Sequence, residues 1–210
     1  MYNNKKVLLI GGGGTLGTYI AKELLELGCY VDIICPEDKV SDNEKLKFFK
    51  EYATFEFLSE LLSKERYDGI VNLILYRTLE EYKPIHKLLS ENTQHLIFTS
   101  SYRVYADLQH PVTEEAPHLL DVIKDGEFLR TEDYALPKSK CEKFLREESE
   151  KEITGQLFVL LFPFPINVST WLQFRDMRWW TPQERAKRCY CPQPQKISPQ
   201  VLTGQAIREN

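Results

Sequence analysis

Lys5-Lys6-Val7-Leu8-Leu9-Ile10-Gly11-Gly12-Gly13-Gly14-Thr15-Leu16-Gly17-Thr18-Tyr19-Ile20-Ala21 is the stretch that decides the fold. Val7–Ile10 is an unbroken apolar run, the pattern of a strand covered on both faces. Four glycines follow, so the backbone can turn tightly and lie bare against a ligand. Leu16, Ile20, Leu24 and Leu27 then recur at helical spacing, and Gly28 supplies a C-terminal stop. A glycine turn opening into a helix N-terminus is an anion site, because unpaired N–H groups and the positive end of the helix dipole face the same point. Gly11, Gly14 and Gly17 give G-x-x-G-x-x-G, and Gly12, Gly14 and Gly17 also satisfy G-x-G-x-x-G. Spacing alone leaves the register open. A strand before and a helix after are the context in which such glycines cradle a phosphate.

The 210 residues suffice for one domain and a small second one. At 42% hydrophobic and 28% charged, the composition is that of an ordinary globular protein. A net charge of −4 argues against nucleic acid as a partner, since that needs a basic face. Met1-Tyr2-Asn3-Asn4-Lys5-Lys6 runs straight into a strand, so no signal peptide is expected. The apolar run near Leu157–Val168 is broken by Pro163 and Pro165 and is too short for a membrane span. Five cysteines at positions 29, 35, 141, 189 and 191 lack framework spacing, which predicts reduced thiols and a cytoplasmic location. Cys189-x-Cys191 has no second pair to complete a metal site, and no metal is expected.

Beyond Gly28, strands are expected at Tyr30–Cys35, Leu46–Lys50, Tyr67–Leu75 and Gln94–Ser100. Helices are expected at Phe55–Glu65, at Thr78–Glu91 and within Thr131–Leu145, with Pro84 implying a kink or a delayed start in the second. Alternating strands and helices mean crossover connections and a doubly wound parallel sheet of the α/β class, with Val7–Ile10 central. Ligands of such sheets bind beyond the carboxyl ends of the strands. The hydroxyls of Thr99-Ser100-Ser101-Tyr102-Arg103-Val104-Tyr105 therefore share a crevice with the glycine turn. After the second strand, Glu37 or Asp38 could reach an adenosine ribose, a slight lean towards NAD over NADP, with solvated loop acids as the competing reading. Tyr134 and Lys138 are four apart and share one helix face. An ammonium beside a phenol stabilises the phenolate and suits the tyrosine to exchange a proton with a substrate.

The glycine turn, Ser100-Ser101-Tyr102-Arg103-Val104-Tyr105, Pro111-Val112-Thr113-Glu114-Glu115-Ala116-Pro117 and Tyr134-x-x-x-Lys138 follow one another in order. Together they resemble the short-chain dehydrogenase/reductase superfamily, in its extended NAD-dependent epimerase/dehydratase branch, over about residues 5–156. The resemblance implies a Rossmann-type sheet, NAD or NADP as coenzyme, a small-molecule substrate that is often a nucleotide-linked sugar, and a homodimer as one arrangement. It implies Tyr134 as the acid/base, Lys138 as the residue that tunes it and grips the nicotinamide ribose, and Ser101 as the residue that binds the reacting oxygen. It also implies coenzyme contacts at Gly11, Gly14, Thr15, Leu16, Gly17, Cys35, Leu73 and Lys138. Three departures stand out. Cys35 replaces the acid usual after the second strand, Tyr52 replaces the aspartate usual after the third, and Pro137 sits inside Tyr134-x-x-x-Lys138.

The resemblance fades beyond Gln156. Leu157–Phe162 still reads as a sixth strand, but residues 157–210 hold all three tryptophans and six of the eleven prolines. They carry seven Lys/Arg against three acids, a net +4 against −8 over residues 1–156. The expected organisation is a coenzyme-binding domain over residues 1–168 and an atypical tail over 169–210 in place of a substrate lobe. Out-of-family sequence from a frameshifted or truncated gene is the favoured reading of that tail, and a diverged, shortened lobe is the other. Three functions follow: an oxidoreductase, epimerase or dehydratase working at a hydroxyl- or keto-bearing carbon; a non-catalytic NAD(P)-binding regulatory protein; or a truncated inactive product.

Overall fold

The computed structural model describes residues 3–149 apart from Asp107, His110, Pro111, Glu114, Glu132 and Asp133. Strands β1 (Lys6–Ile10), β2 (Tyr30–Cys35), β3 (Leu46–Lys50), β4 (Gly69–Asn72) and β5 (Leu96–Phe98) form one sheet in the order β3-β2-β1-β4-β5. Every ladder is parallel, with Val7 opposite Val31 on one side and Gly69 on the other. β1 is thus the middle strand, as its unbroken apolar run requires, and Leu8, Leu9 and Ile10 are fully buried.

The pleat divides the strands between two layers. Leu8, Ile10, Ile34, Ile70, Leu96 and Phe98 pack with α2 (Phe55–Lys64), α3 (Leu79–Asn92) and α5 (Ala135–Ser149). Leu9, Val31, Ile33, Cys35 and Val71 pack on the other face with Ile20 and Ala21 of α1 (Thr15–Glu26). α1 ends where Gly28 takes φ +87°, with Gly28 N–H donating to Leu25 O and Cys29 N–H to Leu24 O. Thr54 and Thr78 cap α2 and α3, each hydroxyl accepting from the amide three residues on. α3 runs from Leu79 through Pro84, so the proline does not delay its start.

Some bounds differ from the sequence pattern. β4 covers Gly69–Asn72 rather than Tyr67–Leu75, and β5 covers Leu96–Phe98 rather than Gln94–Ser100. Beyond Leu73 N–H, which still donates to Ile10 O, the chain after β4 leaves the ladder and turns towards α5. Thr99 is still tied to Asn72 O through both its N–H and its hydroxyl. The helix expected within Thr131–Leu145 begins at Ala135. Pro137 is therefore its third residue, where an amide has no partner within the helix, and α5 tolerates it. A short α4 (Leu119–Val122) and a 3₁₀ turn, Tyr102–Val104, complete the strand-end layer. Leu157–Phe162 and the proposed boundary at 168/169 lie outside the described residues.

At the amino ends of the strands, buried Asp32 accepts from Tyr67 Oη at 2.7 Å and pairs with Lys6 Nζ at 3.2 Å. Burial and then this carboxylate push the Tyr67 phenol up, so it stays a donor. Asp32 therefore joins β1, β2 and the entry to β4, away from the glycine turn.

Glycine is required at 17 because a Cβ there would lie 2.2–2.5 Å from the backbone of Gly12. Gly14 differs: a Cβ there would meet nothing within 4 Å. Gly17→Ala should therefore lower the unfolding free energy by about 1–3 kcal/mol, the usual cost of overpacking. Gly14→Ala should cost less than about 1 kcal/mol. Urea titrations followed by circular dichroism measure both.

Candidate active site

The carboxyl ends of β1, β2, β4 and β5 open on one edge of the sheet, and the glycine turn lies on the middle of it. Gly11 takes φ +78°, and its N–H donates to Ile34 O at 2.9 Å, which turns the chain sharply out of β1. Gly12 packs against Ile33 and Leu9, and Gly17 packs against Gly12, which seats the start of α1 directly on the turn. No side chain caps α1, in contrast to α2 and α3. Thr15 and Leu16 form its first turn, beside the open space at Gly14. This cradle fits a pyrophosphate: bare backbone, uncapped amides and no Cβ at the point of approach.

The loop after β2 folds back over the turn. Cys35 is buried, with its thiol towards Glu37 O at 3.7 Å. The Glu37 carboxylate lies against Gly13, and Lys39 Nζ donates to Gly13 O. Of the two acids singled out from the sequence, Glu37 is at the turn, whereas Asp38 pairs with Lys50 at 2.7 Å on the surface. Tyr52, after β3, is exposed. Leu73 directly follows β4, half-buried on the α1 side of the sheet.

Lys138 is the buried cation of the site. Its Nζ donates to Thr99 O at 2.7 Å and to Ile74 O at 2.9 Å, and lies 4.4 Å from the centre of the Phe98 ring. Two of its three N–H groups thus bind the chain just beyond β4 and β5. Burial lowers its pKa from the ordinary 10.5 to about 8. Ser101 caps the 3₁₀ turn, its Oγ accepting from Arg103 N–H at 3.3 Å. Tyr134 stands one residue before α5 with 43% of its surface exposed, and no hydrogen bond joins its phenol to Lys138 or Ser101. The structure thus gathers Lys138 and the Thr99–Ser101 strand end and leaves the phenol at the surface. Cys141, next to Lys138 in the core, is an inert thiol that burial pushes up to about 12.

The sequence reading missed Glu142. Its buried carboxylate accepts from Ser100 Oγ with one oxygen, and His118 Nδ1 lies 3.4 Å from the other. Burial pushes the carboxyl up and the imidazole down. The carboxylate stands between hydroxyl and imidazole, so this is not a hydrolytic relay, which needs the imidazole in the middle. Spacing could have found it: 134, 138, 142 and 146 form one i,i+4 row. A groove of about 460 Å³ lies elsewhere, between α1 and the β2–β3 face, lined by Ala21, Leu25, Ile33, Leu46 and Phe48 among others. It contains none of these groups.

Among solved structures, vestitone reductase from alfalfa superposes with a TM-score of 0.59 at 23% identity, over 76% of this chain and 56% of that one. The UDP-Glc/GlcNAc 4-epimerase of Campylobacter jejuni gives 0.58 at 19%, over 75% and 53%. The Bordetella bronchiseptica enzyme WbmH, in complex with NAD+, gives 0.57 at 20%, over 76% and 56%. These likenesses show the fold: the parallel sheet and its flanking helices are arranged as in these epimerases and this reductase. In sequence, the chain is 26% identical over 133 residues to a curated UDP-glucose 4-epimerase of Lactobacillus helveticus. The match covers 53% of this chain and 40% of that protein. No family model matches. The chain spans about half the length of these solved relatives. Among the described residues no helix is long and apolar enough to cross a membrane, and no cluster of metal-ligating side chains occurs.

The Lys138 ammonium should be visible directly. With ¹³C-labelled lysine, one side chain should titrate near pH 8, and that signal should vanish in Lys138→Met. The sign for stability follows. Between about pH 8 and the ordinary lysine value of 10.5 the folded chain has shed a proton that the unfolded chain keeps. This group therefore makes stability rise with pH across that window.

Proposed function

We propose that this chain binds NAD(P) at the glycine turn and provides the coenzyme half of a short-chain dehydrogenase/reductase site of the epimerase type. The observation that carries the reading is the uncapped start of α1 on the glycine turn, on the same sheet edge as Lys138 and Ser101. Gly11, Gly14, Thr15, Leu16 and Gly17 would hold the pyrophosphate. Glu37, rather than Cys35, would meet the adenosine ribose, which favours NAD. Leu73 would flank the coenzyme after β4, and Lys138 would turn its remaining N–H towards the nicotinamide ribose. NAD(P) bound there would supply hydride-transfer chemistry at a carbon bearing oxygen.

The chain's own chemistry at that carbon is proton transfer. Tyr134 exchanges the hydroxyl proton with the substrate oxygen, and Ser101 orients that oxygen by a hydrogen bond. Lys138 favours the phenolate through its charge once the phenol turns inward from its exposed position. A nucleotide-linked sugar is the proposed substrate class, in line with the epimerases named above. A second reading, a coenzyme-binding protein without turnover, draws on one observation: the Tyr134 phenol has no hydrogen bond to Lys138 or Ser101. A homodimer is proposed on the family resemblance alone.

Fluorescence titration with NADH tests the coenzyme site. The unmodified chain should bind it, and Gly14→Val should abolish binding with the circular dichroism spectrum unchanged, since Gly14 faces open space. Undiminished NADH affinity in Gly14→Val removes the assigned phosphate site. Tyr134→Phe should leave NADH affinity near normal and lower any turnover of UDP-glucose by about 10²–10⁴-fold. If the unmodified chain binds NADH but leaves a panel of UDP-sugars unconverted, the second reading stands.

A further inference from the structure

Glu142 is a buried polar group beside the strand ends that the proposed chemistry leaves unused. Three consecutive residues leaving β5 are each held by a different device. Thr99 is held by Asn72 O and by Lys138 Nζ. Ser100 is held by Glu142. Ser101 then caps the 3₁₀ turn, accepting Arg103 N–H on its hydroxyl and Val104 N–H on its carbonyl. Lys138 and Glu142 are one turn apart on α5, so the helix grips neighbouring residues of the strand end with a cation and an anion.

We propose that Glu142 is a positioning residue of this site. Its buried carboxylate holds Ser100 with one oxygen and faces His118 with the other, and so sets the direction in which Ser101 is presented. The role for Ser101 rests on the epimerase-type reading above. The structural content rests on contacts. Glu142 is 3% exposed, so its carboxylate has little access to bulk water and depends on these neighbours. The Ser100 hydroxyl is likewise buried, and a hydrogen bond to a charged acceptor is stronger than a neutral one. On the second oxygen, His118 ties in the segment that returns to the strand end. The His118 ring stacks on Tyr105 at 4.7 Å, the two residues form an antiparallel bridge, and Ala106 N–H donates to Pro117 O. One turn further along α5, Arg146 lies 3.7 Å from Asp121 of α4. Glu142 thus sits where the β5 end, the Tyr105–His118 bridge and α5 meet. Losing its grip on Ser100 frees the backbone next to Ser101 while the glycine turn is untouched.

Amide exchange measured residue by residue on the full chain tests this, with Ser100→Ala, Glu142→Ala and Glu142→Gln. Ser100→Ala and Glu142→Ala should speed exchange at Arg103 and Val104 about tenfold or more, the effect of losing one charged hydrogen bond. Exchange at Leu8–Ile10 and affinity for NADH should stay within about twofold, as for sites without shared partners. Glu142→Gln keeps an acceptor for Ser100 and should restore protection. It should also leave His118 with its proton on Nε2, read by ¹⁵N shifts, because an amide N–H would then face Nδ1. Unchanged exchange at Arg103 and Val104 in Ser100→Ala overturns the proposal, and so does a loss spread equally to Leu8–Ile10. If Glu142→Ala does not fold, Ser100→Ala, which removes a single oxygen, decides it alone. Failure of the unmodified chain to bind NADH would instead overturn the coenzyme reading and leave the exchange result to stand for the geometry.

Discussion

Helix α1 can start on the glycine turn only because Gly17 and Gly12 bring backbone to backbone, at a separation that leaves no room for a Cβ. That contact fixes the angle at which the chain leaves the middle strand. It also sets which amides face the sheet edge and which face of β1 receives Ile20 and Ala21. A side chain at position 17 would lift the helix and separate the apolar layer it covers. The same closeness leaves the first amides of α1 without a side-chain cap at the mouth of the turn, so the packing constraint and the proposed phosphate cradle share one cause.

α5 organises the other half of the edge. Its core face carries Cys141 and Leu145, which pack in one cluster with Tyr82, Ile85 and Leu89 of α3. Along one flank, Lys138, Glu142 and Arg146 hold the ends of β4 and β5, then Ser100, then α4. The interactions differ in kind. Lys138 is an ammonium satisfied by carbonyls and a ring face rather than by a carboxylate, so burial outweighs attraction and its pKa falls to about 8. Glu142 is a carboxylate satisfied by a hydroxyl, and burial moves it up. Both charges are costly where they sit, and each is tolerated because several polar groups converge on it. By contrast, Lys5–Asp68 and Lys50–Asp38 are exposed pairs, which contribute little.

The glycine-turn end and the Ser101–Tyr134 end of the edge are built to different degrees. The glycine turn, Glu37, Lys39 and Lys138 are held by backbone geometry and hydrogen bonds. The Tyr134 phenol stands in the turn before α5, exposed and without a bond to the groups it would work with. The strand ends are closed by side chains of α5 within the fold, whereas the phenol at the helix start stands at the surface.

Much of this was legible from the chain alone, for a physical reason: periodicity and glycine chemistry are local. The apolar run Val7–Ile10, the four glycines and the helical recurrence of Leu16, Ile20 and Leu24 define strand, turn and helix without reference to distant residues. The strand–helix alternation that follows implies a parallel sheet with β1 inside it. Where Tyr67–Leu75 and Gln94–Ser100 stop pairing was not legible, because the strands end where Lys138 and Glu142 compete for carbonyls and hydroxyls from 39 to 64 residues away. Spacing put Tyr134 and Lys138 on one helix face, yet tertiary structure sent the ammonium inward to two strand ends and left the phenol outside. It also chose Glu37 over Asp38 for the glycine turn. Which partner a charged side chain takes depends on burial and on what else converges there, and only the folded chain sets those.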